Sequence, residues 1–187
     1  MNEHLQSIFE IVLPAIESAD IKYWVYGGLG YASIVGRFYR FNSDVDFFVL
    51  DSDFKNVEEV LKNICEENEW KIRKTLMSFK RPKVELILKE KERERLSVVP
   101  VFKTDEVEFR FIEGSKRYPL DVLMRVKRNL EGFVFYTPQD IFLKRLLLDY
   151  FESKNKYPKK RIEDARQILS EQEFKKFFPN QSYLISK

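Results

Sequence analysis

The chain has 187 residues, with 33 Lys and Arg against 30 Asp and Glu, for a net charge of +3. That length suits one domain with a proper core, and 44% apolar residues, including 17 Phe, 9 Tyr and 2 Trp, exclude a disordered chain. A single Cys, Cys65, and a single His, His4, exclude an intrachain disulfide, Ser-His-Asp or Cys-His catalysis and a multi-His zinc site. Any chemistry must therefore run on carboxylates, Lys, Arg, hydroxyls or a hard metal.

In chain order, Leu5, Ile8, Phe9, Val12, Leu13 and Ile16 recur at helical spacing and predict an amphipathic helix over 5–19. Its acids at Glu3, Glu10 and Glu17 do not suit a signal peptide, and no run approaches the length that spans a bilayer, so a reducing cytoplasm is the expected location. Ile21 to Tyr26 reads as a buried strand, followed by Gly27, Gly28 and Gly30 and a short helix over 31–35. Ser43 to Leu50 reads as an inner strand and Phe54 to Asn68 as a helix.

The middle is rich in strands: 70–79, 83–88, 96–102, 107–112 and 119–124, the last two joined by a turn at Glu113 to Lys116. The run KEKERER at 89–95 reads as a solvated turn or helix end. From Thr137 the period is helical again. Thr137-Pro138-Gln139-Asp140 resembles a capping box, a second helix starts near Pro158, and Phe177 and Phe178 of the tail are expected to pack on the body. The expected fold is α/β (α+β), a twisted mixed sheet with flanking helices. It divides into a core over 1–135 and a helical portion over 136–187.

Four of the six glycines, Gly27, Gly28, Gly30 and Gly36, fall within ten residues just after the first strand. Glycine lets backbone N–H groups approach a phosphate, and a helix starting there turns its positive end toward the anion. The same residues equally suit a tight strand-to-helix turn, and the spacing is neither Walker A nor GxGxxG. Asp44-Val45-Asp46 then opens the next strand. Residues two apart on a strand share a face, so both carboxylates stand side by side. Such a pair repels itself when buried unless a cation neutralises it, and oxygen-only ligation favours Mg²⁺ or Mn²⁺.

Strand, Gly-Gly, short helix, and an Arg four residues ahead of Asp-x-Asp, running YWVYGGLGYASIVGRFYRFNSDVDFFV over 23–49, resemble the DNA polymerase β-like nucleotidyltransferase superfamily. The likeness is greatest to its small aminoglycoside and toxin-type prokaryotic members. The resemblance implies a third carboxylate on a strand after a hairpin. Asp121 is the first choice, Glu85 its rival and Glu108 a weaker one. It also implies phosphate contacts from Gly27, Gly28, Ser33, Arg40 and Lys144, with Arg37 as an added charge. Arg40 reads equally as a tie for the Asp44 loop, and Lys144 as a solvated helix Lys. Asp164 is read as holding Lys144 or Arg161, or as one partner of a surface ion pair. Two departures stand out: Gly28 occupies a place where relatives often have Ser, and Asn42 and Ser43 replace common Thr residues.

The implied activity is transfer of a nucleoside monophosphate from an NTP to a hydroxyl of RNA, protein or a small molecule, with Asp44, Asp46 and Asp121 as metal ligands and pyrophosphate as leaving group. A partner protein or homodimer is a further possibility. The alternative is a catalytically inactive member of the fold acting as an interaction or antitoxin-like partner. A glycosidase acid pair on Asp44 and Asp46 is discounted, because adjacent residues of one strand cannot flank a bond from opposite sides. The cluster Lys154, Lys156, Lys159, Lys160 and Arg161 beside Tyr157 reads either as an RNA track or, preferably, as a solvated loop.

Overall fold

The computed structural model describes residues 3–77, 81–87, 95–105, 108–110, 116–154 and 156–179. The charge run at 89–94, the turn at 113–115, Phe79, Val107, Phe111, Ile112 and the tail from 180 lie outside the described residues. The first helical stretch is a composite: a 3-10 turn at Glu3–Leu5, a π-turn at Ile8–Val12 and α1 at Leu13–Ser18. Pro14 has no N–H to donate, and the turn ahead of it is widened, with the Leu13 N–H reaching the Ile8 carbonyl. One face of this stretch, from Leu5 to Ile16, is buried.

The strands are β1 (Tyr23–Tyr26), β2 (Asp44–Leu50), β3 (Lys71–Met77), β4 (Arg81–Ile87), β5 (Arg95–Lys103), β6 (Glu108–Arg110) and β7 (Arg117–Pro119), with a separate hairpin of β8 (Val126–Leu130) and β9 (Phe133–Thr137). The main sheet runs β1-β2-β5-β4-β3, with β6 and β7 extending from β5. Among the described residues only the β2–β5 pair is parallel, the others being antiparallel. This is the twisted mixed sheet expected from the sequence. The helices are α2 (Gly27–Val35), α3 (Phe54–Asn68), α4 (Asp140–Ser153), α5 (Lys159–Ile168) and α6 (Glu171–Phe177). None is long and apolar enough to cross a membrane among the described residues.

The pleat of β2 sorts its side chains between two cores. Val45, Phe47 and Val49 join Val25, Leu96, Val98, Val84 and Leu86 on one face, covered by the N-terminal helix, α3 and the β8–β9 hairpin. Phe48 goes to the other face with Trp24, Val99, Val101, Phe109 and Leu123, under Phe142 of α4. A third cluster, from Tyr31 through Leu143, Leu147, Phe151 and Ala165 to Phe174 and Phe178, binds the C-terminal helices to α2. Asp44 and Asp46 share the face of Phe48, at the end of β2 that this second core does not reach.

Three expectations are overturned, one of them the capping box at Thr137, which instead closes β9 while α4 has Gln139 as its N-cap and no side-chain cap bond. Residues 119–124 are not a strand: after the short β7, Leu120–Leu123 coil into a 3-10 turn whose Leu123 is buried and whose Leu123 carbonyl accepts the Trp24 indole N–H at 2.7 Å. The helix after the glycines does not wait for Tyr31 but begins at Gly27. The segment from Ser170 is a helix in its own right, opened by a capping box in which the Ser170 side chain accepts from the Glu173 N–H and Glu173 accepts from the Ser170 N–H. The β8–β9 hairpin, turned by Glu131 and Gly132 at positive φ, adds strands that alternation alone did not reveal.

Candidate active site

The site forms where β1 hands over to α2 and β2 begins. Gly27 sits at φ +65°, a left-handed conformation that glycine adopts without strain, and a Cβ there would stand 3.1 Å from Asp46 Oδ2. The missing side chain thus lets the start of α2 lie against the Asp46 carboxylate. A Cβ at Gly28 would overlap the Arg40 guanidinium and the Asn42 side chain. Gly30 has a packing role instead: its Cβ would stand 2.9 Å from Leu143 Cδ2, where α2 meets α4.

Register places one row of side chains across the sheet on this face: Tyr26, Asp46, Ser97, Glu85 and Arg73, on β1, β2, β5, β4 and β3. Burial, then the neighbouring Asp44 carboxylate, pushes Asp46 up to about 6, against the opposing pull of Lys83, Arg161 and a hydrogen bond from Ser97. Asp44 is half-buried and accepts from the Ser43 hydroxyl at 3.2 Å. Glu85 is buried, with Lys83 Nζ at 3.0 Å from its Oε1 and Arg73 Nε at 2.8 Å from its Oε2. Burial works against its charge, yet these two cations hold its carboxyl below the ordinary range.

Behind the glycines lies a second charged group. Asp164 of α5 is fully buried and accepts from Arg40 Nε at 2.7 Å, Arg40 Nη2 at 3.1 Å, Tyr39 Oη at 2.8 Å and Arg161 Nη1 at 3.3 Å. It is no surface ion pair, nor does it hold Lys144; it fixes both arginines. Arg40 is thereby pinned over Gly28. Arg161, lying over the Tyr31 and Tyr150 rings, is close enough to Asp46 for each charge to favour the other.

Not every predicted residue joins this group. Asp121 is exposed on the 3-10 turn, off the main sheet, so the reason for choosing it, a place on a strand, does not hold. Ser33 is buried in α2 and donates its hydroxyl to the Gly30 carbonyl at 2.7 Å, an ordinary helix back-bond. Lys144 pairs with Glu173 of α6 at 2.8 Å. Glu108 pairs with Arg117 at 3.5 Å, and Arg37 is exposed. In the predicted basic cluster, Arg161 turns inward and Tyr157 donates to the Phe151 carbonyl, while Lys154, Lys156, Lys159 and Lys160 remain in solvent. A cavity of about 460 Å³ lies elsewhere, between the N-terminal helix and the β8–β9 hairpin, and contains none of these residues.

Reading the sequence alone missed Ser97 and Lys83. The available signal was a lone Ser in the apolar run Leu96 to Val101, but only strand register shows that it faces Asp46. The donor set suits one hard divalent cation: two carboxylates on one face, beside a glycine that leaves room. No group of three or more His, Cys, Asp or Glu residues able to hold a metal occurs among the described residues.

Residues 6–98 match a family described as "Nucleotidyl transferase of unknown function (DUF2204)". No curated protein sequence matches the chain. Among solved structures, ANT(2″)-Ia in complex with adenylyl-2″-tobramycin is similar with a TM-score of 0.67 at 15% identity, over 91% of this chain and 92% of that one. The lincosamide antibiotic adenylyltransferase LnuA, with lincomycin bound, is similar with a TM-score of 0.60 at 16% identity, over 85% of this chain and 92% of that one. A candidate nucleotidyltransferase from Thermotoga maritima gives a TM-score of 0.56 at 13% identity, over 81% of this chain and 88% of that one. These likenesses establish the fold. With the match over residues 6–98 to a nucleotidyl transferase family, and the Gly-Gly, Arg and Asp-x-Asp elements assembled in one place, the chain has the nucleotidyltransferase fold and resembles the DNA polymerase β-like nucleotidyltransferase superfamily.

Proposed function

We propose that the chain transfers a nucleoside monophosphate from an NTP to a hydroxyl acceptor, releasing pyrophosphate, in a reaction that needs Mg²⁺ or Mn²⁺. The chief support is the placement of Asp44 and Asp46 on one face of β2, with Asp46 against Gly27 at the start of α2. A divalent ion supplies charge neutralisation of the triphosphate and of the departing pyrophosphate. Asp44 and Asp46 would hold it. The N–H groups of the first α2 turn, at Gly27 and Gly28, which lack partners within the helix, offer donors to the phosphates, and Arg40 and Arg161 supply fixed positive charge behind them. Because Asp164 holds both guanidiniums in place, little side-chain entropy is lost when a phosphate arrives. Ser33 and Lys144 are left out of this assignment: each would first have to give up its bond to Gly30 or Glu173. Asp121 is left out because it lies off the sheet.

The acceptor is a hydroxyl of RNA, protein or a small molecule, in keeping with the adenylylated tobramycin held by one structural relative. The setting proposed is the cytoplasm, with a homodimer or partner protein as an open addition. The competing reading, a non-catalytic toxin–antitoxin or interaction partner, draws support from Ser97, a neutral residue beside Asp46. Incubation with α-labelled NTPs, Mg²⁺ and, in turn, total RNA, lysate protein and aminoglycoside or lincosamide acceptors separates the two. Label transfer that disappears in Asp44→Ala supports the transferase. Absence of transfer together with absence of metal-dependent NTP binding refutes it.

A further inference from the structure

Adjacent strands stand about 4.8 Å apart, so the positions opposite Asp46 on its two neighbours, Tyr26 on β1 and Ser97 on β5, are the nearest strand positions from which another side chain could share a cation with it, and neither is a carboxylate. Ser97 is a buried hydroxyl that favours the charged form of Asp46 and itself lacks the charge of a carboxylate. One strand further, Glu85 is already matched by two cations, Arg73 and Lys83, and the Lys83 side chain keeps about a quarter of its surface open. The direction from Asp46 across β5 and β4 therefore presents a hydroxyl and an ammonium. Among the described residues, a second divalent ion there would find no free carboxylate and would face a fixed positive charge.

Resting on the nucleotidyl-transfer reading of this same site, we propose that it takes one divalent cation with its nucleoside triphosphate rather than two, the place of a second being held by Ser97 and by the Lys83 ammonium anchored on Glu85. Asp44 and Asp46 serve the one ion, and Lys83 offers its charge to the phosphates directly.

The test counts ions rather than turnover. The full chain is titrated with Mn²⁺ in the presence of saturating α,β-non-hydrolysable analogues of the four NTPs, and free Mn²⁺ is followed by electron paramagnetic resonance. One bound ion per chain is expected, rising to two in Ser97→Asp, which adds a carboxylate opposite Asp46. Two ions in the unaltered protein overturn this proposal and leave the transferase reading intact; no bound ion, with or without analogue, overturns both. Lys83→Gln, at a partly open position, gives a second measurement that does not depend on the folding of Ser97→Asp. Analogue affinity at saturating Mn²⁺ is expected to fall about tenfold, and an unchanged affinity overturns the role given to Lys83.

Discussion

Replacing Asp46 by Asn is expected to stabilise the metal-free protein. Burial and the Asp44 carboxylate push the Asp46 carboxyl from its ordinary 3.8 up to about 6. At pH 7 that displacement corresponds to about 3 kcal/mol against folding with the carboxylate charged. Asp46 keeps part of its surface in water, so about 1–2 kcal/mol of this should be recovered by Asn, or roughly 2–8 °C in Tm for a chain of this size. The sign follows from proton uptake. Because the folded-state pKa is the higher one, the folded state holds the proton more tightly. This contribution is fully present below about pH 4, is lost as pH rises toward 6 and is constant above that. The Tm gap between Asp46→Asn and the unaltered protein should therefore be near zero at pH 4, widen to pH 6 and then level off. Thermal unfolding in EDTA across pH 4–8 measures it. Excess Mn²⁺ should then raise the Tm of the unaltered protein at pH 7 and leave that of Asp46→Asn in place. A variant no more stable than the unaltered chain at pH 7, or a gap that does not change with pH, refutes the account of Asp46 as a desolvated, repelled carboxylate.

Asp164→Ala leaves two guanidiniums without their shared carboxylate and is expected to cost about 3–5 kcal/mol in urea unfolding; a loss under 1 kcal/mol would contradict its place at the centre of the group. Gly30→Ala drives a methyl into Leu143 and is expected to cost about 1–3 kcal/mol, part of which the double variant with Leu143→Ala should recover; independent, additive losses would contradict the contact. Lys144→Ala breaks a half-exposed ion pair with Glu173, so stability should change by less than about 1 kcal/mol and nucleotide affinity should stay within about twofold; a large loss of affinity would return Lys144 to the site. Asp121→Ala should leave Mn²⁺ binding unaltered, and weakened binding would restore it as a ligand.

What could be read from the chain itself is local. The glycines after β1, the Asp-x-Asp opening β2 and the helix period of Phe54 to Asn68 are short-range patterns, and each reports backbone geometry within a few residues. The strand expected around Asp121 failed because Pro119 to Met124 has strand-like composition, yet burying Leu123 under Trp24 coils it into a 3-10 turn. The Ser170-to-Glu173 capping box is a local pattern of the same kind.

Local pattern determined that two carboxylates share a face beside a glycine turn, since a strand alternates its side chains every residue whatever surrounds it. Which residues those carboxylates meet was decided only by tertiary structure. Ser97 lies 51 residues beyond Asp46 and faces it through a parallel pairing that no local period encodes. Asp164 reaches Arg40 across 124 residues because α5 packs on α2 through Tyr31 and Ala165. Strand register and helix docking are set by which apolar faces can be buried together, and that choice belongs to the whole chain.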